Sequence, residues 1–370
     1  MQHEYIERIA KIDAVLNRYL PENPGDEWLS DFFPGLEGKV SPALLSSLTL
    51  PARDLVNRGG KRWRPLLTVL VCESLGGGDA GLALTPLVEF PHNASLIHDD
   101  IEDNSDERRG KPAVHIVYGV DSAVNSGCFL YFLPLLSLSS WEEHLVKELN
   151  VPADRATERK NLVYSLWGDY LRRLHLGQAM DITWHRDFDS LPALPEYYTM
   201  CGMKTGCLAR LAAVLGAVAA FSVRNVPRRE EAALRERIGS ASENLGVGFQ
   251  ILDDVKNLET GVAGKKRGDD VVEGKKSLPV LLYLHRKPDK REFVSRCFRA
   301  ARNGGTGVPE VEALIGELAA EGCIAEAREK GLALIKEAED QFAGIVNLPA
   351  FNSGTEAGRR LLLGFTDLLG

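Results

Sequence analysis

The run His98-Asp99-Asp100-Ile101-Glu102-Asp103 closes an apolar stretch that extends from Leu87 to Ile97. On a helix, Asp99 and Asp103 stand four residues apart on one face and aim both carboxylates at one volume. Like charges at that spacing repel mildly, so a cation is the natural counterpart, although an acidic, solvated helix end would use the same residues. Oxygen ligands alone suit Mg2+, which keeps several waters and takes one or two carboxylates together with substrate phosphates. A second cluster follows in Gly248-Phe249-Gln250-Ile251-Leu252-Asp253-Asp254-Val255-Lys256-Asn257, where an aspartate pair again ends an apolar run and Asn257 lies four residues after Asp253. Two such patterns are hard to treat as independent accidents. If their helices face each other, the acids can hold a group of Mg2+ ions.

Bases indicate what those ions accompany. In Gly59-Gly60-Lys61-Arg62-Trp63-Arg64-Pro65, Lys61 and Arg64 lie three apart where a Gly-Gly turn leads into a helix with an early proline. Backbone amides, a helix N-terminus and two cations make an anion site. Arg108-Arg109-Gly110 follows the first acidic cluster, Lys204-Thr205-Gly206 reads as the start of another helix, and Lys265, Lys266, Arg267, Lys275 and Lys276 follow the second cluster. Taken singly, each is as readily solvated surface. Together they alternate with the acids as a bound metal-diphosphate requires. The chain lacks a Gly-x-x-x-x-Gly-Lys-Ser/Thr loop, which disfavours a P-loop nucleotidase, and no Ser/His/Asp or Cys/His arrangement stands out.

These residues need helices to position them, and the periodicity is helical throughout. Ile6, Ile9, Ile12, Leu16 and Tyr19 begin it. Similar runs predict helices over 42–57, 65–75, 86–103, 120–138, 160–184, 196–223, 229–259, 276–286, 289–302, 309–344 with a break near Gly322, and 355–369. No stretch alternates long enough for a strand, so one large all-α domain spanning 1–370 is expected. The charged segment 148–160, with Pro152, reads as a surface loop. Across the 370 residues, 44 Lys and Arg against 52 Asp and Glu leave a net charge of -8, which argues against a general grip on nucleic acid or an anionic membrane. Six scattered cysteines without a CxxC pair read as reduced thiols of a cytoplasmic protein and not as a metal site. The most apolar run, Leu208 to Val223, is short of the ~20 residues that span a bilayer and contains Arg210, so no transmembrane segment is expected.

In order along the chain, GGKRWRP, DDIED followed by RRG, KTG and FQILDD resemble the trans-isoprenyl diphosphate synthase (polyprenyl synthetase) family over roughly residues 55 to 285. The stretch Asn93 to Ser105 with Arg108-Arg109-Gly110, together with Asn125-Ser126, Tyr131-Phe132 and Gly177-Gln178-Ala179-Met180-Asp181-Ile182, is similar to the eukaryotic-type geranylgeranyl diphosphate synthases. The resemblance implies an all-α bundle of the isoprenoid synthase type with a central substrate cavity, commonly a homodimer. It implies that Lys61, Arg64, His92 and Arg109 hold the diphosphate of isopentenyl diphosphate. Asp99, Asp103 and Asp253 match Mg2+ ligands, three ions being expected with substrate bound. Arg108, Lys204, Thr205, Gln250, Lys265 and Lys275 match positions that hold the allylic diphosphate. Asp99, Asp103, Lys204 and Asp253 are the expected catalytic set. Asn257 departs from the family, where many relatives have a third aspartate; as a neutral, weaker ligand it carries less weight.

The chemistry so implied is a 1'-4 condensation. Mg2+ and the bases stabilise the leaving diphosphate, the double bond of isopentenyl diphosphate attacks the allylic cation, and an apolar wall keeps water away. Product length depends on where that wall closes. Ala94 and Ser95, five and four residues before Asp99, are small and put no aromatic stop there, which argues against a farnesyl-length product. Tyr131, Phe132 and His175 are candidate floor residues, although ordinary core packing would also explain them. A twenty-carbon product is expected, with a longer polyprenyl chain as the alternative. A terpene cyclase is a weaker alternative, because it has no use for Lys61, Arg64 and Arg109.

Overall fold

Helices form where apolar residues recur every three or four positions, and breakers separate them. The computed structural model describes residues 2–261 and 266–368. Among these the only strands are an antiparallel pair of two residues each, Glu107–Arg108 with Lys111–Pro112. The all-α fold expected from the sequence is therefore found. In the first helix, Gln2–Tyr19, the buried face is Tyr5, Ile12, Leu16 and Tyr19. Ile6, expected on that face, is 58% exposed, because the Tyr5 hydroxyl turns inward and donates to the Leu361 carbonyl at 2.7 Å.

The chain forms two compact units, one from residues 1–168, 211–239 and 342–370, the other from 169–210 and 240–341. In the first, Pro86–Glu102 packs against Val120–Phe132 and Pro42–Asn57, while Gln2–Tyr19 and Glu356–Leu363 both pack on Trp63–Ser74. A side chain at Gly216 would place its Cβ 2.3 Å from the Thr68 carbonyl oxygen, so only glycine lets these segments approach closely enough for Thr68 Oγ1 to donate to Ala212 O at 2.9 Å. In the second unit, Tyr197, Ile251, Leu281, Tyr283, Phe298 and Leu314 belong to one apolar core. Each such side chain contributes roughly 1.5–3 kcal/mol by leaving water. Pro309–Ala320 and Cys323–Val346 are separated at Gly322, whose φ of +70° suits glycine.

Two expectations are corrected. Residues 153–160 are not a loop: they are the first turns of the 34-residue helix Ala153–Arg186. Their charges have partners distant in sequence, which periodicity cannot reveal. Arg159 pairs with Glu231 at 2.6 Å, Thr157 donates to Glu142 at 2.7 Å, and Lys160 also pairs with Glu142. The apolar run ending at Val223 is also longer than read, because Leu194–Val223 is helical over 30 residues. By length and composition it and Val120–Lys147 could each cross a membrane, but 89% of the apolar window of Leu194–Val223 is buried inside the protein.

Candidate active site

The first unit gathers a basic group. Arg109 (φ 54°) and Gly110 (φ 71°) form the turn between the two short strands, and two successive positive φ values match the tight hairpin turn that follows strand twist. A non-glycine residue in that conformation costs about 1–2 kcal/mol. The side chains hold it there. Arg109 Nη1 donates to Leu55 O at 3.1 Å, and Arg58, paired with Asp54 at 2.6 Å, donates to Pro112 O at 2.7 Å and Arg108 O at 3.2 Å. Arg64 lies 4.3 Å over the Trp63 ring, with its Nη1 3.4 Å from His92 Nε2. Burial, reinforced by the charges of Arg64, Arg109 and Arg108, holds His92 well below the usual imidazole range. A neutral imidazole thus stands among guanidinium groups, and Lys61 is exposed on the preceding turn.

The acids of the same unit lie at the end of Pro86–Glu102. Asp99 and Asp103 are half-buried, whereas Asp100 is fully buried and takes Arg108 Nε at 2.7 Å. Arg108 Nη2 also reaches Asp99 Oδ2 at 3.7 Å. Beneath them Ala94 is buried, and Ser95 Oγ is turned back onto His92 O at 2.8 Å. Tyr131 is buried beside His98, their ring centroids 5.7 Å apart, and Phe132 faces outward with 68% exposure.

The second unit brings the other bases to acids. Lys204 and Thr205 do not start a helix, as the sequence suggested. They sit in a π-helical turn, Gly202–Gly206, between Leu194–Cys201 and Cys207–Val223. This turn needs glycine elsewhere: a Cβ on Gly177 would fall 2.5 Å from Lys204 N. Such bulges re-aim side chains. Lys204 Nζ meets Asp181 Oδ2 at 2.5 Å. Burial pushes the Asp181 carboxyl up, but the Lys204 and Lys275 charges outweigh it and hold it below the usual carboxylate range. Thr205 Oγ1 donates to Gln250 Oε1 at 2.7 Å, Gln250 Nε2 donates to Asp254 Oδ1 at 2.9 Å, and Tyr197 OH donates to Asp254 Oδ2 at 3.3 Å. Burial, then the Asp270 charge, pushes Asp254 up to about 8. Lys275 pairs with Glu273 at 2.8 Å and Asp270 at 3.3 Å.

Adjacent aspartates of the second motif thus differ: Asp253 is exposed and Asp254 is buried in the network. Asn257 is buried, its Oδ1 accepting from Asp270 N at 3.1 Å and its Nδ2 facing Lys266 O at 3.4 Å, so it braces the chain ahead of Lys275. His175 is exposed, with Nδ1 2.8 Å from Leu171 O of its own helix. Lys265 lies outside the described residues. Residue type and spacing reveal neither the π-turn nor Asp181 and Tyr197 as partners of the motif residues; only the Gly-Gln-Ala-Met-Asp run shared with the resembling family points near Asp181.

Among the described residues no three carboxylate, imidazole or thiol groups converge to hold an ion by themselves. Paired carboxylates in DDIED without a third protein ligand fit Mg2+, whose remaining positions go to water and phosphate oxygens.

Residues 46–315 match the family model described as Polyprenyl synthetase. The geranylfarnesyl diphosphate synthase of Aeropyrum pernix is 32% identical over 274 residues, covering 73% of this chain and 77% of that protein. A geranylgeranyl pyrophosphate synthase of Neocamarosporium betae is 35% identical over 250 residues, covering 67% of this chain and 64% of that protein. In fold, the crystal structure of geranylgeranyl pyrophosphate synthase from Corynebacterium glutamicum, complexed with isoprenyl diphosphate and magnesium, superposes with a TM-score of 0.73 at 21% identity, covering 96% of each chain. With a family match over most of its length, the motifs in family order and the same helical fold, this chain belongs to the polyprenyl synthetase family of prenyltransferases.

Proposed function

We propose that this protein joins isopentenyl diphosphate to an allylic diphosphate, head to tail, with Mg2+ as cofactor and geranylgeranyl diphosphate as product. The observation that carries the reading is the cationic group of Arg64, His92 and Arg109 in the first unit, in addition to the acids and bases that the second unit carries. Two diphosphates call for two such groups, whereas a terpene cyclase needs one. Because each unit carries only part of the motif set, residues 1–370 work as a single catalytic domain.

Lys61, Arg64, His92 and Arg109 bind the diphosphate of isopentenyl diphosphate, with neutral His92 donating a hydrogen bond and the guanidinium groups supplying charge. Asp99, Asp103 and Asp253 would hold Mg2+, three ions with substrate present, whose positive charge would offset the negative charge of the departing diphosphate. Arg108, Lys204, Thr205, Gln250, Lys265 and Lys275 orient the allylic diphosphate. As its C1–O bond breaks, the alkene of isopentenyl diphosphate, held close by its own site, forms the new bond to C1, and the released diphosphate takes the proton. Mixing the protein with Mg2+ and each substrate alone or both together tests this directly: diphosphate release should require both, and release from the allylic substrate alone would indicate a cyclase.

Tyr131, buried against the ring of His98 next to Asp99, is assigned to the floor of the chain cavity. Tyr131→Ala should shift the products to at least one additional five-carbon unit by chromatography of the dephosphorylated alcohols; an unchanged distribution would remove Tyr131 from the floor. The small Ala94 and Ser95 favour a 25-carbon or longer product as the second reading.

A homodimer is part of the proposal. Val120, Val124, Phe132 and Leu136 are 54%, 41%, 68% and 40% exposed and recur at four- to eight-residue intervals, an apolar stripe on one helical stretch. A second copy covers it, burying the same patch on both chains. Val124→Lys with Phe132→Lys should halve the mass measured by light scattering; an unaltered mass would exclude this face. The six free cysteines, five of them buried, support a reducing, cytoplasmic setting.

A further inference from the structure

Within GGKRWRP, Lys61 and Arg64 are assigned to substrate, but Arg62 between them turns inward. It is 9% exposed and takes a left-handed φ of 49°. Its guanidinium donates to Glu89 Oε1 at 2.7 Å, Val56 O at 2.7 Å and Asp13 Oδ1 at 3.1 Å. Glu89 Oε1 also accepts from Asn93 Nδ2 at 2.9 Å, and the same Nδ2 donates to Glu89 O at 2.8 Å. Both amide protons of Asn93 are thereby committed. Its Oδ1 faces Arg109 Nη1 at 3.3 Å. The reverse amide orientation would set an NH2 group against a guanidinium, so the hydrogen bonds to Glu89 fix which end of the amide Arg109 meets. Glu89 and Asn93 are 3% and 0% exposed, so neither can touch a ligand in solvent. Gly60 completes the arrangement: a Cβ there would stand 3.1 Å from Arg109 Nη2.

We propose that Glu89 and Asn93 are positioning residues for the isopentenyl diphosphate site, a buried chain in which Arg62 fixes the Glu89 carboxylate, Glu89 orients the Asn93 amide, and Asn93 aims Arg109. The proposal rests on the assignment of Arg109 to that diphosphate. It gives the inward Arg62 a purpose that its exposed neighbour Lys61 does not share. It also predicts an effect confined to one of two substrates, which a general loss of packing would not produce.

The test is a double-mutant cycle on the full-length protein, with KM for each substrate measured separately and folding checked by thermal unfolding. Asn93→Ala should raise KM for isopentenyl diphosphate about fivefold to tenfold, with the allylic KM and kcat changed less than about twofold. In an Arg109→Ala background, Asn93→Ala should add almost nothing further, because the group it aims is gone. Glu89→Gln, which keeps the side-chain volume, should move the same KM in the same direction and serves if Asn93→Ala does not fold. Equal effects of Asn93→Ala in both backgrounds, or equal rises in both KM values for either variant, would overturn the positioning role. If Arg109→Ala alone leaves the isopentenyl diphosphate KM unchanged, the underlying site assignment fails instead, and the inference with it.

Discussion

Asp99→Asn should lower kcat by about 10^3-fold or more while leaving the protein as stable as before or slightly more so. The two effects have opposite signs because the carboxylate has opposite value in the two settings. In the folded protein, Asp99 stands one helical turn from Asp103, and like charges at that spacing repel by a few tenths of a kcal/mol. Arg108, 3.7 Å from Asp99 Oδ2, keeps Asp100 as its closer partner at 2.7 Å through Nε, so the local ion pairing survives the change. In the proposed reaction, the same charge would help hold Mg2+ against a diphosphate whose negative charge rises as the allylic bond breaks. An amide of the same shape is a neutral and weaker ligand, and most of that stabilisation is lost. Steady-state rates at saturating Mg2+, with denaturant unfolding on the same samples, check both parts. A fall in stability that tracks the fall in activity would mean a structural carboxylate.

Lys204→Met should have the other large effect, with both readouts falling. Asp181 is 7% exposed and meets Lys204 at 2.5 Å, so removing the ammonium leaves a buried carboxylate short of its main partner. Breaking such a pair costs about 3 kcal/mol or more, moderated here by the charge of Lys275. Activity should fall about 100-fold, because a cation at the departing diphosphate is lost as well. Lys204→Met combined with Asp181→Asn separates the contributions: it should recover most of the stability and none of the activity. Recovery of activity in the double variant would assign Lys204 to structure alone.

Much of this site could be read from the sequence because its chemistry is local. Asp99 with Asp103, Lys61 with Arg64, and Arg108 with Arg109 declare themselves by type and spacing, whatever surrounds them. Features set by tertiary approach could not be read that way. The π-turn around Lys204 depends on Gly177, 27 positions earlier, offering no side chain where the Lys204 backbone packs. Residues 153–160 look like a loop by composition and become helix because Glu231 and Glu142, distant in sequence, pair with Arg159 and Lys160. Asp254 is indistinguishable from Asp253 by residue type, yet the hydroxyl of Tyr197 and the amide of Gln250 hold it inside while Asp253 is exposed. For Phe132, aromatic character suggested a floor, whereas its side chain is 68% exposed.

The most direct test of the central claim is a single product analysis. Purified protein is incubated with Mg2+, isotopically labelled isopentenyl diphosphate and, in separate reactions, dimethylallyl, geranyl or farnesyl diphosphate, and the dephosphorylated products are sized by chromatography. Condensation ending at twenty carbons is the expected result, and no incorporation of label with any of the three primers would contradict it.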